Sequence, residues 1–225
     1  MKKLLIVGLS AFVLTACGDQ QKETAGEVEN TKVEQSKNND PIQDKVDIKE
    51  EETKVEGPLT EVGQQTEDDG VGKVTLDKIV NINKEYETGG LKIKLLDAKV
   101  LTVTNVVPDF KESVELMSDI QVGDEFTYLQ VRYDLENTTK ETVIFNGIET
   151  AVPDNGKQVT ISGMDIFATA NPTSSEIYSN ATVEQNVFGI PIDKNINSIR
   201  LIPSDVLYDN DDHSIFYPKE ITIEF

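Results

Sequence analysis

Phe126-Thr127-Tyr128-Leu129-Gln130-Val131-Arg132-Tyr133-Asp134-Leu135-Glu136-Asn137-Thr138 alternates with a period of two. Leu129, Val131, Tyr133 and Leu135 fall on one face, and Gln130, Arg132 and Asp134 fall on the other. Successive side chains of a strand point to opposite sides, so this stretch reads as a β-strand with one buried and one wet face. Phe126, Tyr128 and Tyr133 sit on alternate faces of it and read as core and cross-strand packing rather than as a ligand platform.

Working outward, Leu91, Ile93 and Leu95 alternate with Lys92 and Lys94, and the apolar set then slips by one to Leu96, Ala98 and Val100. A one-residue slip in a period-two pattern predicts a β-bulge or bend. Further strands are predicted over 141–152, 183–192, 196–202 and 215–225, and Asp154-Asn155-Gly156 supplies a tight turn into 157–161. A single helix is predicted over 109–120, inserted between early strands. About seven short strands separated by turns imply an all-β fold, a sandwich spanning residues 76–225.

Residues 18–75 differ in character. They contain no Phe, Tyr or Trp and carry 16 acidic against 7 basic residues, a balance of −9 within a chain of net charge −20. Such a stretch buries too little apolar surface to offset the entropy of ordering it, so 17–75 is expected to be a disordered acidic linker spanning on the order of 40 Å. Lys and Glu alternation around 44–55 leaves a helical spacer as the alternative. Residues 76–225 are acidic too, with 25 acidic and 12 basic residues. That charge argues against a nucleic-acid partner and against lying flat on anionic lipid.

At the N-terminus, Lys2 and Lys3 precede an apolar run over 4–14, and Leu14-Thr15-Ala16-Cys17 follows. A positive end, a short apolar core and small residues form a secretory signal, and the run is too short to span a bilayer. Leu-Thr-Ala-Cys resembles the lipobox of bacterial lipoproteins. The resemblance implies removal of 1–16, a diacylglycerol on Cys17, and stable attachment to the extracytoplasmic face of the cell membrane. Cys17 is the only cysteine, so no internal disulfide is available and the domain must be stable by packing.

Three stretches carry a second resemblance: Gly89-Gly90-Leu91-Lys92-Ile93-Lys94, residues 123–138 with their closing Asn-Thr turn, and Val187-Phe188-Gly189-Ile190-Pro191. Together they resemble a family of uncharacterised Ig-like lipoproteins of Gram-positive bacteria, related in fold to a small secreted mycobacterial antigen. The resemblance covers about residues 79–225 and implies an Ig-like β-sandwich. It brings no catalytic residues, and a fold does not determine an activity.

Catalytic chemistry is thinly provided. His213 is the only histidine, no serine sits in a Gly-x-Ser-x-Gly elbow, and the chain is expected not to be an enzyme. Asn137-Thr138-Thr139 and Asn180-Ala181-Thr182 fit a glycosylation pattern but read as turn chemistry. Asp209, Asp211 and Asp212 cluster with Asn210 in one turn and form a candidate weak calcium site, although the run lacks the spacing of an EF-hand loop. The functional expectation is a lipid-anchored binding module that meets an envelope protein or extracellular ligand through its loops or a sheet edge. The alternative is a calcium- or small-ligand-binding accessory protein of the envelope, with an enzyme as a third class.

Overall fold

The computed structural model describes residues 53–118, 120–167, 171–172, 174–209 and 214–225. Its first layer is built from long strands. β1 (Gln65–Asp68), β2 (Gly72–Thr88), β3 (Leu91–Thr104), β4 (Glu125–Asn137) and β9 (Thr182–Pro191) pair antiparallel in the order β1-β2-β3-β4-β9. Gly89 and Gly90, at φ 54° and 73°, join β2 to β3 with Thr88 opposite Leu91. Two successive positive φ values are what a two-residue hairpin turn requires. The predicted helix is α1 (Pro108–Ser118), inserted between β3 and β4.

The second layer contains two four-stranded sheets. One orders β12 (Ile215–Phe216), β11 (Val206–Tyr208), β5 (Val143–Phe145) and β8 (Glu176–Ile177). The other orders β13 (Ile221–Glu224), β10 (Ser198–Pro203), β6 (Ile148–Pro153) and β7 (Val159–Thr160). The two orders match lane for lane, because the chain passes directly from β5 to β6, from β10 to β11 and from β12 to β13. They are therefore one four-lane layer broken across its middle. The break is stitched where Ser204 N–H donates to Gly147 O at 2.8 Å and Asn146 N–H donates to Ser204 Oγ at 2.8 Å. Gly147 has φ 87°, and a Cβ there would lie 1.8 Å from the Asn171 carbonyl oxygen, so no larger residue fits.

Between the layers, Leu91, Ile93, Leu95, Leu129, Val131, Tyr133 and Leu135 pack against Val143, Phe145, Ile148, Ile199, Leu201, Val206, Ile221 and Ile223. The fold is an all-β sandwich with one inserted helix. Thirteen strands among the described residues replace the expected seven or so, because 141–152 and 215–225 each divide into two strands in different sheets, and β1, β2, β8 and β11 lie outside the predicted strand ranges.

The predicted slip in β3 is a bulge. Leu95 pairs with Tyr133 and Asp97 with Arg132, leaving Leu96 over. Register shifts in β2, between Asn81 and Lys84, and between β4 and β9, at Tyr133 to Leu135, stand at the same level. Asn83 and Gln185, at φ 45° and 61°, absorb them. The irregularities thus form a line across the sheet from β2 to β9.

The boundary expected at Leu76 is overturned. Val55 N–H donates to Gln65 O at 2.9 Å, Gln65 N–H to Thr53 O at 2.8 Å, and Gly63 N–H to Leu76 O at 2.8 Å. Leu59 is buried in a second core with Val74, Leu76, Leu101, Val103, Val114, Phe126 and Tyr128, on the outer face of the five-stranded sheet. Residues 53–75, read as linker, are part of the folded domain: backbone groups that pair and an apolar side chain that packs offset the ordering entropy. Residues 1–52, with the signal and Cys17, lie outside the described residues. No helix among the described residues is long and apolar enough to cross a membrane.

Candidate functional site

The bulge at Leu96 decides which side chains of β3 leave the interlayer core. Beyond it Ala98 and Val100 point inward, so Asp97 and Lys99 point to the outer face, directly opposite Arg132 and Gln130 of β4. The segment 58–60 lies over them. Thr60 N–H and Glu61 N–H both donate to Gln64 Oε1, at 2.7 and 3.0 Å, and fix the shape of this segment. A groove of about 650 Å³ results, lined by Leu59, Thr60, Asp68, Ile79, Asn81, Asp97, Lys99, Leu101, Tyr128, Gln130 and Arg132.

Its floor carries charge that a sheet surface does not ordinarily hide. Asp97 is 4% exposed and Lys99 is 7% exposed. Arg132 Nε donates to Asp97 Oδ1 and Oδ2 at 3.1 and 3.0 Å, and its Nη2 also donates to Oδ2. The guanidinium itself remains half-exposed. Lys99 Nζ donates to the Leu59 carbonyl at 2.7 Å, tying the overlying segment to the floor. Burial pulls the Lys99 amine below its ordinary value, with Asp97 opposing and Arg132 reinforcing that shift. The hydrogen bond to Asp97 chiefly raises Arg132. At the apolar end, burial and then the Asp68 charge push the Tyr128 hydroxyl up to about 12. Tyr128 stacks on Phe126 with ring centres 5.5 Å apart and meets Phe167 edge-on at 5.8 Å. The arrangement offers N–H donors at one end and an apolar wall at the other, which is the chemistry of binding.

A second cavity of about 930 Å³ opens beside Asp165. That carboxylate is held through Oδ1, which accepts from Gly189 N–H at 3.0 Å and Phe167 N–H at 3.1 Å, and burial raises its protonation range.

Of the residues proposed from sequence, Cys17, Asp211, Asp212 and His213 lie outside the described residues. Asp209 is exposed, and its N–H donates to Thr142 O at 3.0 Å. No group of three or more acidic, histidine or cysteine side chains among the described residues is placed to hold a metal ion. Asn137 is wholly buried and works as turn chemistry. Arg132 is expected on a wet face, and Asp97 and Lys99 carry no expectation from sequence, because the cover over that face comes from a segment read as linker. Gly57-Pro58-Leu59, an apolar residue behind a turn pair in a polar stretch, was the available signal.

No protein-family model matches the chain. It is 25% identical over 152 residues to YdhF of Bacillus subtilis strain 168, an uncharacterised protein, a match covering 64% of this chain and 60% of YdhF. The chain thus spans less than two thirds of that relative. Among solved structures, it is similar to a functionally unknown protein from Listeria monocytogenes EGD-e, with TM-score 0.45 and 11% identity over 68% of this chain and 88% of the other. A conserved hypothetical protein from Bacillus anthracis gives TM-score 0.34 and 14% identity over 64% and 96%.

Proposed function

We propose that the protein is a binding module anchored to the extracytoplasmic face of the membrane through lipid on Cys17, and that it takes a small ligand in the groove beneath residues 58–60. The observation that carries the ligand site is the burial of Asp97 and Lys99 on the floor of an open groove. Burying an ion costs several kcal/mol even after relaxation, and apolar residues of similar volume commonly serve stability as well or better. Charge kept at such a position is consistent with selection for recognition. The anchor rests on Leu14-Thr15-Ala16-Cys17 behind a short apolar run.

Two measurements test the reading. Cys17→Ser should leave the protein unprocessed or released from membranes; a fully processed, salt-resistant membrane pool would remove the anchor. A small-molecule screen followed on the amide resonances should give compounds that move Asn81, Lys99 and Gln130. Compounds that only move residues at the Gly89–Gly90 end of the sandwich would assign binding to the loops instead.

A further inference from the structure

Resting on the reading of the groove as a ligand site, we infer that its occupant is a small amphiphile with a carboxylate at one end and an apolar body at the other. The first support is the count of donors. An ammonium has three N–H bonds and a guanidinium five. Lys99 gives one to Leu59, and Arg132 gives its Nε–H and one Nη2–H to Asp97. Two donors of Lys99 and three of Arg132 therefore have no protein acceptor among the described residues, and both side chains line the groove.

The second support is the placement of charge. The lining carries two acids, Asp68 and Asp97, and two cations, Lys99 and Arg132, so it is neutral as a whole, but Asp97 is taken up by Arg132 and Asp68 acts on Tyr128 at the apolar end. Asp134 also acts on Arg132, and the unused N–H donors gather at the Lys99–Arg132 end. A carboxylate can accept from a guanidinium and an ammonium together through charge-assisted hydrogen bonds, whereas a cation brings no acceptor to those donors. The body of the ligand would lie along Leu59, Ile79, Leu101 and Tyr128. A volume of about 650 Å³ suits a small molecule rather than a folded partner.

Octanoate and 1-octanol, which share chain length and differ in charge, are the probes. They are titrated into the full-length chain carrying Cys17→Ser, with binding followed by calorimetry and by the amides of Asn81, Lys99 and Gln130. Octanoate should bind saturably and move those amides, and octanol should bind at least about tenfold more weakly. Lys99→Met, which keeps the apolar stem, should lower octanoate affinity by a similar factor and leave octanol unchanged. Arg132→Gln alters a half-exposed side chain and provides the same comparison should Lys99→Met fail to fold. Equal binding of both probes, unaffected by either substitution, would overturn the carboxylate while leaving the groove as a binding site. No octanoate binding, or binding with those amides unmoved, would overturn the carboxylate inference and the groove together.

Discussion

Asn137 shows what one buried amide can hold. Its Nδ2 donates to the carbonyls of Glu141, Ile177 and Tyr178 at 2.8, 2.9 and 3.1 Å, and its Oδ1 accepts from Thr139 N–H and Oγ at 2.9 and 2.8 Å. The end of β4 is thereby fixed to β8 and to the turn that follows. Asn137→Asp would set a carboxylate oxygen against three carbonyls, so it should cost about 3–5 kcal/mol in urea unfolding, against about 2–3 for Asn137→Ala. A loss below about 1 kcal/mol would refute this role. The sequence showed Asn-Thr as a turn, since that preference is local; the Glu141 carbonyl belongs to the same turn, but those of Ile177 and Tyr178 come from about 40 residues away and were not legible. Tyr128 and Tyr133 make a second residue-scale prediction. Burial raises both hydroxyls, Tyr128 to about 12 and Tyr133 further, and Tyr133 also donates to Asn171 Oδ1. Each has a folded value above the unfolded value of 10.0, so its contribution is whole below pH 10 and is lost as pH rises through the folded value. Stability should fall from about pH 10 upward, and Tyr128→Phe should reduce the slope while Tyr133 maintains the rest. Urea midpoints between pH 9 and 12 measure it, and an unchanged slope in Tyr128→Phe would exclude Tyr128 as a source.

At the scale of elements, the aligned irregularities from β2 to β9 let one sheet serve two cores. Leu91, Ile93 and Leu95 face the second layer, while Leu101 and Val103 face α1 and the segment 53–64. Leu96 was readable because its slip lies within one strand's own pattern. That at Gln185 falls in the polar run Glu184-Gln185-Asn186, where no apolar alternation exists to break, and that at Asn83 follows the short alternation of Val80 and Ile82 and is followed by polar residues up to Tyr86. The division of 141–152 was hidden for the opposite reason: Val143, Phe145, Ile148 and Ala151 all remain apolar across a change of sheet. Gly147 was the readable sign, since a lone glycine inside a strand pattern marks a bulge or a close backbone approach. Deleting Leu96 would remove the bulge and leave Ala98 and Val100 inward and Asp97 and Lys99 outward, whereas deleting Ala98 would turn Lys99 into the interlayer core and Val100 out of it. The Leu96 deletion should therefore keep a sigmoidal thermal transition, and the Ala98 deletion should lose it. Deleting Asn155 from its exposed turn is the control and should leave such a transition in place.

For the whole molecule, the domain begins earlier than composition suggests, because residues 53–75 are folded by partners far along the chain. Leu59 and Lys99 are 40 positions apart, and no local pattern announces their contact. A chain starting at 76 lacks β1, Leu59 and Val74. Burying each of those two side chains contributes about 1.5–3 kcal/mol, so this chain should be less stable than one starting at 53 by about 3–6 kcal/mol. Equal urea midpoints for the two would show that the early segment is only appended. The same segment has a bearing on mechanics. The strip that roofs the groove is held by Lys99, by the Lys54–Glu67 ion pair, by the burial of Leu59 and by a few backbone bonds to β1 and β2. A pull applied at Thr53 therefore reaches the roof of the groove before it reaches β2, β3 or β4.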